Sequence, residues 1–244
     1  MDQFSGAQPE PSPTEPTPIF LLGFARSGTT LLHQILARHP RIQVLDELLA
    51  IEKLSSTESQ IYQLRERYLD EIKGHVDPAR GDVIIDKHPF HTRHLPLIQR
   101  LFPGAKIIFA HRHPCDVCLS CFMQDFSFNS MTANFTTLED TVDTYVSLMQ
   151  YWNHVRNRLP FPCHVIKLEN LISNFEAEAA SLLQYIGVEW DPAVIDFHHG
   201  ASRSNVPTPS YSQVVRPLNA DGVGRWLKYR RWLDPFYSEL EPFI

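Results

Sequence analysis

The chain has 244 residues, 43% of them hydrophobic, and a formal net charge of −6. That length allows one sizeable domain or two small ones, and a net negative chain lacks the global basic field that recruits nucleic acid. The sequence contains no run of 18 apolar residues able to span a bilayer.

Taken in chain order, residues 1–17 carry prolines at 9, 11, 13 and 16 and no apolar stretch of signal-peptide kind. They predict a disordered tail, and without an anchor the expected setting is cytoplasmic. Residues 18–244 then predict a single domain. Ile19–Leu22 reads as a buried strand and 28–38 as a helix; 83–86, 106–110 and 163–168 read as further strands. These runs are apolar and β-branched without strict alternation, as expected of parallel strands covered on both faces. Between them, Ile61, Leu64, Tyr68 and Ile72 recur at helical spacing, as do Val142, Tyr145, Val146 and Met149. A last helix spans 175–186 and stops at Gly187. Strands alternating with helices predict an α/β fold whose central parallel sheet is flanked by helices in three layers.

The first strand enters the loop Gly23-Phe24-Ala25-Arg26-Ser27-Gly28-Thr29-Thr30. A strand–loop–helix turn of this kind aims backbone N–H groups and the positive end of a helix dipole at a phosphate. Gly23 and Gly28 have the spacing of a nucleotide-binding P-loop, yet Thr29 occupies the place of its lysine. The cation lies earlier, at Arg26, which suits a phosphate that does not end a triphosphate. Arg112 follows the 106–110 strand, and Ser120 lies eight residues on, about two helical turns from a start near Cys115. The two can reach one anion from two sides, with an arginine fork donating charge-assisted hydrogen bonds. Asp116 is expected to cap or brace this turn. Lys87 ends the 83–86 strand at the carboxyl edge of the sheet, where α/β folds bind ligands. Asp46 and Glu47 form an acidic pair after His39-Pro40; a like-charged neighbour raises a carboxylate toward useful basicity, and which of the two serves is open.

A metal is not expected. Cys115, Cys118 and Cys121 recur without a fourth cysteine at ligand spacing. His88, His91 and His94 also recur at three-residue spacing, and His198-His199 are adjacent, but neither group has an acidic or thiolate partner nearby in sequence.

Arg26-Ser27-Gly28-Thr29-Thr30 after a hydrophobic strand resembles the 5′-phosphosulfate loop of sulfotransferases, which use 3′-phosphoadenylyl sulfate (PAPS) as donor. The likeness is greatest to tyrosylprotein sulfotransferases and their bacterial relatives, with Ala25 at that branch's proline. The resemblance implies a P-loop fold and assigns Arg26, Ser27, Gly28, Thr29 and Thr30 to the donor's 5′ side. It assigns Arg112 and Ser120 to its 3′-phosphate. Ser210–Asn219 with Gly224-Arg225-Trp226 resembles the C-terminal loop that folds over the nucleotide, which adds Ser212, Arg216 and Arg225 as donor contacts and Trp226 as packing. Trp226, Tyr229 and Trp232 would equally suit a packed C-terminal helix. By the same likeness Glu47 is the general base, and Lys87, in Asp86-Lys87-His88-Pro89, is the electrophile, with Arg26 sharing the sulfuryl charge.

Gln124 stands where that branch has a further arginine, and Leu168 where it has a tyrosine, so one donor contact is lost at each. The implied reaction moves a sulfuryl group from PAPS to a hydroxyl or amine acceptor, with protein tyrosine, carbohydrate and small molecules all open. No metal is implied, because a fixed lysine or arginine can serve in place of Mg²⁺. Acceptor specificity is expected in 48–80 and in Phe122–Thr137, where Phe126, Phe128 and Phe135 line a pocket or fill a core. The alternatives are a P-loop kinase or NTPase, against which Thr29 counts, and a non-catalytic PAP-binding protein of the same fold, which Gln124 and Leu168 favour.

Overall fold

Five short strands, Ile19–Leu22 (β1), Ile42–Asp46 (β2), Val83–Lys87 (β3), Ile107–His111 (β4) and Cys163–Lys167 (β5), run parallel in the order β2-β3-β1-β4-β5. The coordinates are a computed structural model describing residues 17–54, 61–77, 79–80, 82–126, 132–198 and 218–244. All four β1 residues are buried, which explains the missing alternation: the central strand is covered on both faces.

One face carries Phe20, Leu22, Ile107 and Phe109. It packs under Ile61–Lys73 (α2), Leu95–Leu101 (α3), Pro114–Phe122 (α4) and Leu138–Arg156 (α5). There Phe109 stacks on Trp152 with ring centroids 3.8 Å apart. The other face carries Leu21, Ile85, Ile108 and Ala110. It is covered by Thr29–Leu36 (α1), Leu168–Ser173 (α6) and Phe175–Ile186 (α7). Local signals set the helix ends. Thr137 accepts the Asp140 N–H at 3.0 Å and starts α5, and Gly187, at φ 100°, closes α7.

The three-layer α/β expectation holds, with differences. β2 is a strand that the sequence reading leaves as loop, because Gln43 and Asp46 interrupt its apolar pattern. Gln43 is nonetheless buried at the sheet edge, its amide donating to Asp77 O at 3.0 Å and its oxygen accepting the Asp77 N–H at 2.9 Å. β4 begins one residue later than expected, and Leu168 opens α6 instead of ending β5. α3 is also unexpected; Pro96 lies in its first turn, where no N–H is needed. The C-terminal helix is replaced by a 3₁₀ turn, Arg225–Tyr229, and the short turns Arg230–Leu233 and Tyr237–Leu240, since Pro235 and Pro242 interrupt any longer helix. Among the described residues no helix is long and apolar enough to cross a membrane.

Candidate active site

The candidate residues follow the carboxyl ends of four adjacent strands, where open parallel sheets bind ligands. After β1, the loop turns on two left-handed residues, Arg26 at φ 66° and Gly28 at φ 103°. Gly23 is required by crowding: a Cβ there would lie 2.8 Å from Ala110 O and 2.7 Å from Ser27 Oγ. Ser27 donates to Phe24 O at 2.7 Å and fixes the loop internally. Leu168 sits against the loop, its Cδ1 3.0 Å from where a Cβ on Gly28 would stand. The position at which a tyrosine was expected thus packs on the loop as an apolar cover.

Beyond β4, three arginines and a serine gather. Arg26 Nε donates to Ser120 Oγ at 3.0 Å, and Arg112 Nη1 donates to Arg26 O at 3.0 Å. Burial above all lowers the pKa of both Arg26 and Arg112; each also lies within reach of Arg225, whose like charge adds to the lowering. Arg26 and Arg112 are buried, while Arg225 is half-buried and donates through Nη2 to Met123 Sδ at 3.7 Å; like charges gathered in this way are a site for an anion. Arg26 is thereby turned toward the Ser120 and Arg112 side. Gln124 donates to the neighbouring Asp125 O at 3.3 Å.

On the opposite side of the loop, β2 and β3 place Asp46 in register with Lys87. Lys87 is fully buried; its Nζ contacts Asp46 Oδ1 and donates to Glu47 Oε1 at 2.9 Å. The two acids differ. Asp46 is 16% exposed and also faces His33 Nδ1 at 3.4 Å. Burial opposes its ionisation, yet the His33 bond and the Lys87 charge hold its carboxyl well below the usual carboxylate range. It is a permanent counter-ion and a poor base. Glu47 is 44% exposed, turned outward by a left-handed backbone at φ 51°, with its N–H bonded to Lys87 O at 2.8 Å.

The histidine run has an acidic partner after all, from outside its sequence neighbourhood. Pro89–His94 is a 3₁₀ helix, so residues three apart share a face, and that face meets Glu52. His91 Nε2 lies 2.9 Å from Glu52 Oε2, with His88 and His94 at 3.9 and 3.8 Å from Oε1 and Arg93 at 3.5 Å. Glu52, His88 and His91 could bring ligand atoms within 4.8 Å of one another. Their geometry suits a metal poorly. His88 Nδ1 accepts the Phe90 N–H at 3.2 Å, which leaves the hydrogen of the neutral ring on Nε2. The His88 and His91 rings stack 4.3 Å apart at 8°, so their in-plane lone pairs do not converge. The group is better described as a hydrogen-bonded cluster: burial pushes His88 down to about 3, and Glu52, despite burial, is held at about 2 chiefly by its bond to His91. Cys115, Cys118 and Cys121 are buried free thiols packed in the core, and burial raises all three.

Asp116 does not cap its own helix. His113 Nδ1 does so, accepting the Cys115 N–H at 3.3 Å. Ser212, Arg216, Phe128, His199 and the tail up to residue 16 lie outside the described residues. Phe126 and Phe135 are described, with ring centroids 5.5 Å apart, and Phe135 lies 5.8 Å from Phe24 of the loop.

The model of a sulfotransferase family matches residues 18–72 and 50–192. Protein-tyrosine sulfotransferase 1 of Danio rerio is 25% identical over 86% of this chain and 65% of its own length. The chain spans between 32% and 65% of the length of the first curated relatives it matches. Among solved structures, a sulfotransferase domain from the Synechococcus PCC 7002 olefin synthase is similar with a TM-score of 0.64, 20% identity and 90% coverage of both chains. A mouse sulfotransferase, SULT7A1, solved in complex with PAP, has a TM-score of 0.57 and 16% identity over 93% of this chain and 84% of its own. At these identities the structures speak for the fold alone, the α/β P-loop architecture described above.

Proposed function

The chain belongs to the sulfotransferase family, and we propose that it transfers a sulfuryl group from PAPS to a hydroxyl or amine acceptor. The observation that carries the donor assignment is the gathering of Arg26, Arg112, Ser120 and Arg225 beside the loop. That cluster offers a second anion site next to the loop, as a nucleotide with phosphates at both 3′ and 5′ positions requires. PAP, the ligand of the mouse neighbour, is such a nucleotide. The loop N–H groups of Gly28, Thr29 and Thr30 take the 5′ side, while Ser27, whose N–H and hydroxyl both donate to Phe24 O, shapes the turn. Thr29 in place of lysine speaks against ATP or GTP.

In the reaction the acceptor oxygen or nitrogen forms a bond to sulfur while the bond from sulfur to the 5′-phosphate oxygen breaks. Glu47 takes the acceptor's proton and Lys87 stabilises the charge gathering on the leaving oxygen. Arg26, which bonds Ser120 on the anion-cluster side, shares the sulfuryl charge only after its guanidinium swings across the loop. No step needs a metal, because the buried lysine already supplies a fixed cation. The relatives named for protein tyrosine make a tyrosyl acceptor the first to try. The functional unit is one domain from residue 18 onward, and the free thiols suit a cytoplasmic setting.

Calorimetry with PAP, and with ATP plus Mg²⁺, for wild type and Arg112→Ala tests the assignment. The expected result is preference for PAP, lost in the variant. Preference for ATP, or binding of neither nucleotide, would overturn it. Binding of PAP without turnover on any acceptor would leave a non-catalytic member of the fold.

A further inference from the structure

Residues 222–226 lie a hundred positions or more from α4 in sequence and yet are tied to its first turn. Asp116, 1% exposed, accepts two main-chain N–H groups there: Gly224 N at 2.7 Å on Oδ2 and Trp226 N at 2.8 Å on Oδ1. These N–H groups flank Arg225, which among the described residues is the arginine that the C-terminal part of the chain brings to the anion cluster. Arg112 Nη2 donates to Gly222 O at 2.5 Å, and His113 stacks on Trp226 with ring centroids 5.0 Å apart. Both carboxylate oxygens of a buried acid are thus spent on the backbone around one side chain.

We propose that Asp116 is a positioning residue for donor binding: its carboxylate clamps the backbone of 224–226 and so holds Arg225 against Arg26 and Arg112. The inference rests on the donor reading given above. The physical cause is the like charge of the three arginines. Without a tether, Arg225 would be driven from the other two and the chain carrying it would leave with it. A buried carboxylate bound to both flanking amides opposes that repulsion and adds a negative charge behind the cluster; Asp116 in turn raises the pKa of Arg112 against its burial. Donor affinity is therefore partly set by a residue that does not contact the donor.

Asp116→Asn keeps the size and replaces one acceptor oxygen by an NH₂ group that faces an N–H. Charge-assisted hydrogen bonds of this kind are strong enough for a loss of about 10- to 100-fold in PAP affinity. Three readouts are needed: PAP affinity by calorimetry, amide hydrogen exchange at Gly224 and Trp226, and donor KM against kcat. The expected result is faster exchange at those two amides, weaker PAP binding and a raised donor KM, with kcat at saturating donor within about threefold of wild type. Wild-type protein that binds PAP beside a variant that binds it equally well overturns the inference alone. Wild-type protein that binds no PAP removes the donor reading and the inference with it. If the variant fails to fold, exchange in the wild type decides. PAP should then slow the Gly224 and Trp226 amides further, and unchanged rates would overturn the proposal.

Discussion

Lys87→Met removes the only charge from a side chain of nearly unchanged length, and its effect follows from what is left behind. Asp46, 16% exposed, loses the buried ammonium that faces it, and Glu47, 44% exposed, loses the donor at 2.9 Å. Stripping one partner from a buried ion pair costs about 3–5 kcal/mol. The lower end, about 3 kcal/mol, applies here because Glu47 reaches water and His33 remains beside Asp46. For a chain of this size that is a fall of roughly 6–12 °C in Tm. The loss depends on pH, and its sign is set by Asp46. In the wild type its pKa lies below the ordinary 3.8, so its contribution is present above that value and fades only as pH falls through the folded one. In the variant, burial acts against a weaker opposition and raises the value. The gap in stability is then widest near neutrality and closes on acidification. Thermal melts followed by circular dichroism at about pH 7.5 and at about pH 3, inside the window that opens below 3.8, measure it. An unchanged Tm, or an equal drop at both values, would refute the assignment of Lys87 as the buried partner of Asp46. If Lys87 also stabilises the leaving oxygen, kcat falls by roughly 10²–10³ in the same variant.

Glu47→Gln should lower kcat by roughly 10²–10⁴ while PAP affinity stays within about twofold; a variant that keeps full turnover on a competent acceptor would move the base elsewhere. Gly23→Ala drives a methyl against Ala110 O at 2.8 Å, a backbone atom that cannot swing aside. Urea unfolding should register a loss of about 1–3 kcal/mol, and an unchanged midpoint would show that β1 and β4 can separate there. His88 is pushed by burial from its ordinary 6.5 to about 3, so the unfolded chain takes up a proton that the folded chain refuses. Stability should therefore fall as pH drops from 6.5 toward 3, and His88→Gln should flatten that slope in melts across the same span.

How far the sequence could be read depended on how far apart the cooperating residues are. Arg26, Lys87 and Arg112 were legible because each follows an apolar strand, and strand ends meet at one edge of a parallel sheet. β2 was not, since a buried glutamine looks like a loop residue until its two backbone partners around Asp77 are known. The ambiguity between Asp46 and Glu47 is likewise invisible in one dimension. It takes the register of β2 against β3 to show that one acid points inward to Lys87 and His33 and the other outward. The three-residue histidine spacing was visible, but its meaning depended on a 3₁₀ rather than an α-helical turn and on Glu52, some forty residues upstream. Asp116 was expected to brace its own turn; its true partners are 108 and 110 positions away.

The strand order has a consequence for how the molecule comes into being. Of the five described strands β1 comes first in the sequence and lies in the centre, with β3 and β4 as its neighbours. Among the described strands no hairpin can form on the way, because every pairing is parallel and waits on a crossover. Until His111 has emerged, β1 has at most one edge covered, and until Lys167 it lacks the full sheet. At usual elongation rates the wait for Lys167 is roughly 10–30 s. Throughout it, an apolar strand with an unpaired edge, first β1 and then β4, is a template for association with other chains. Nascent copies should thus depend on chaperone shelter far more than their modest length suggests.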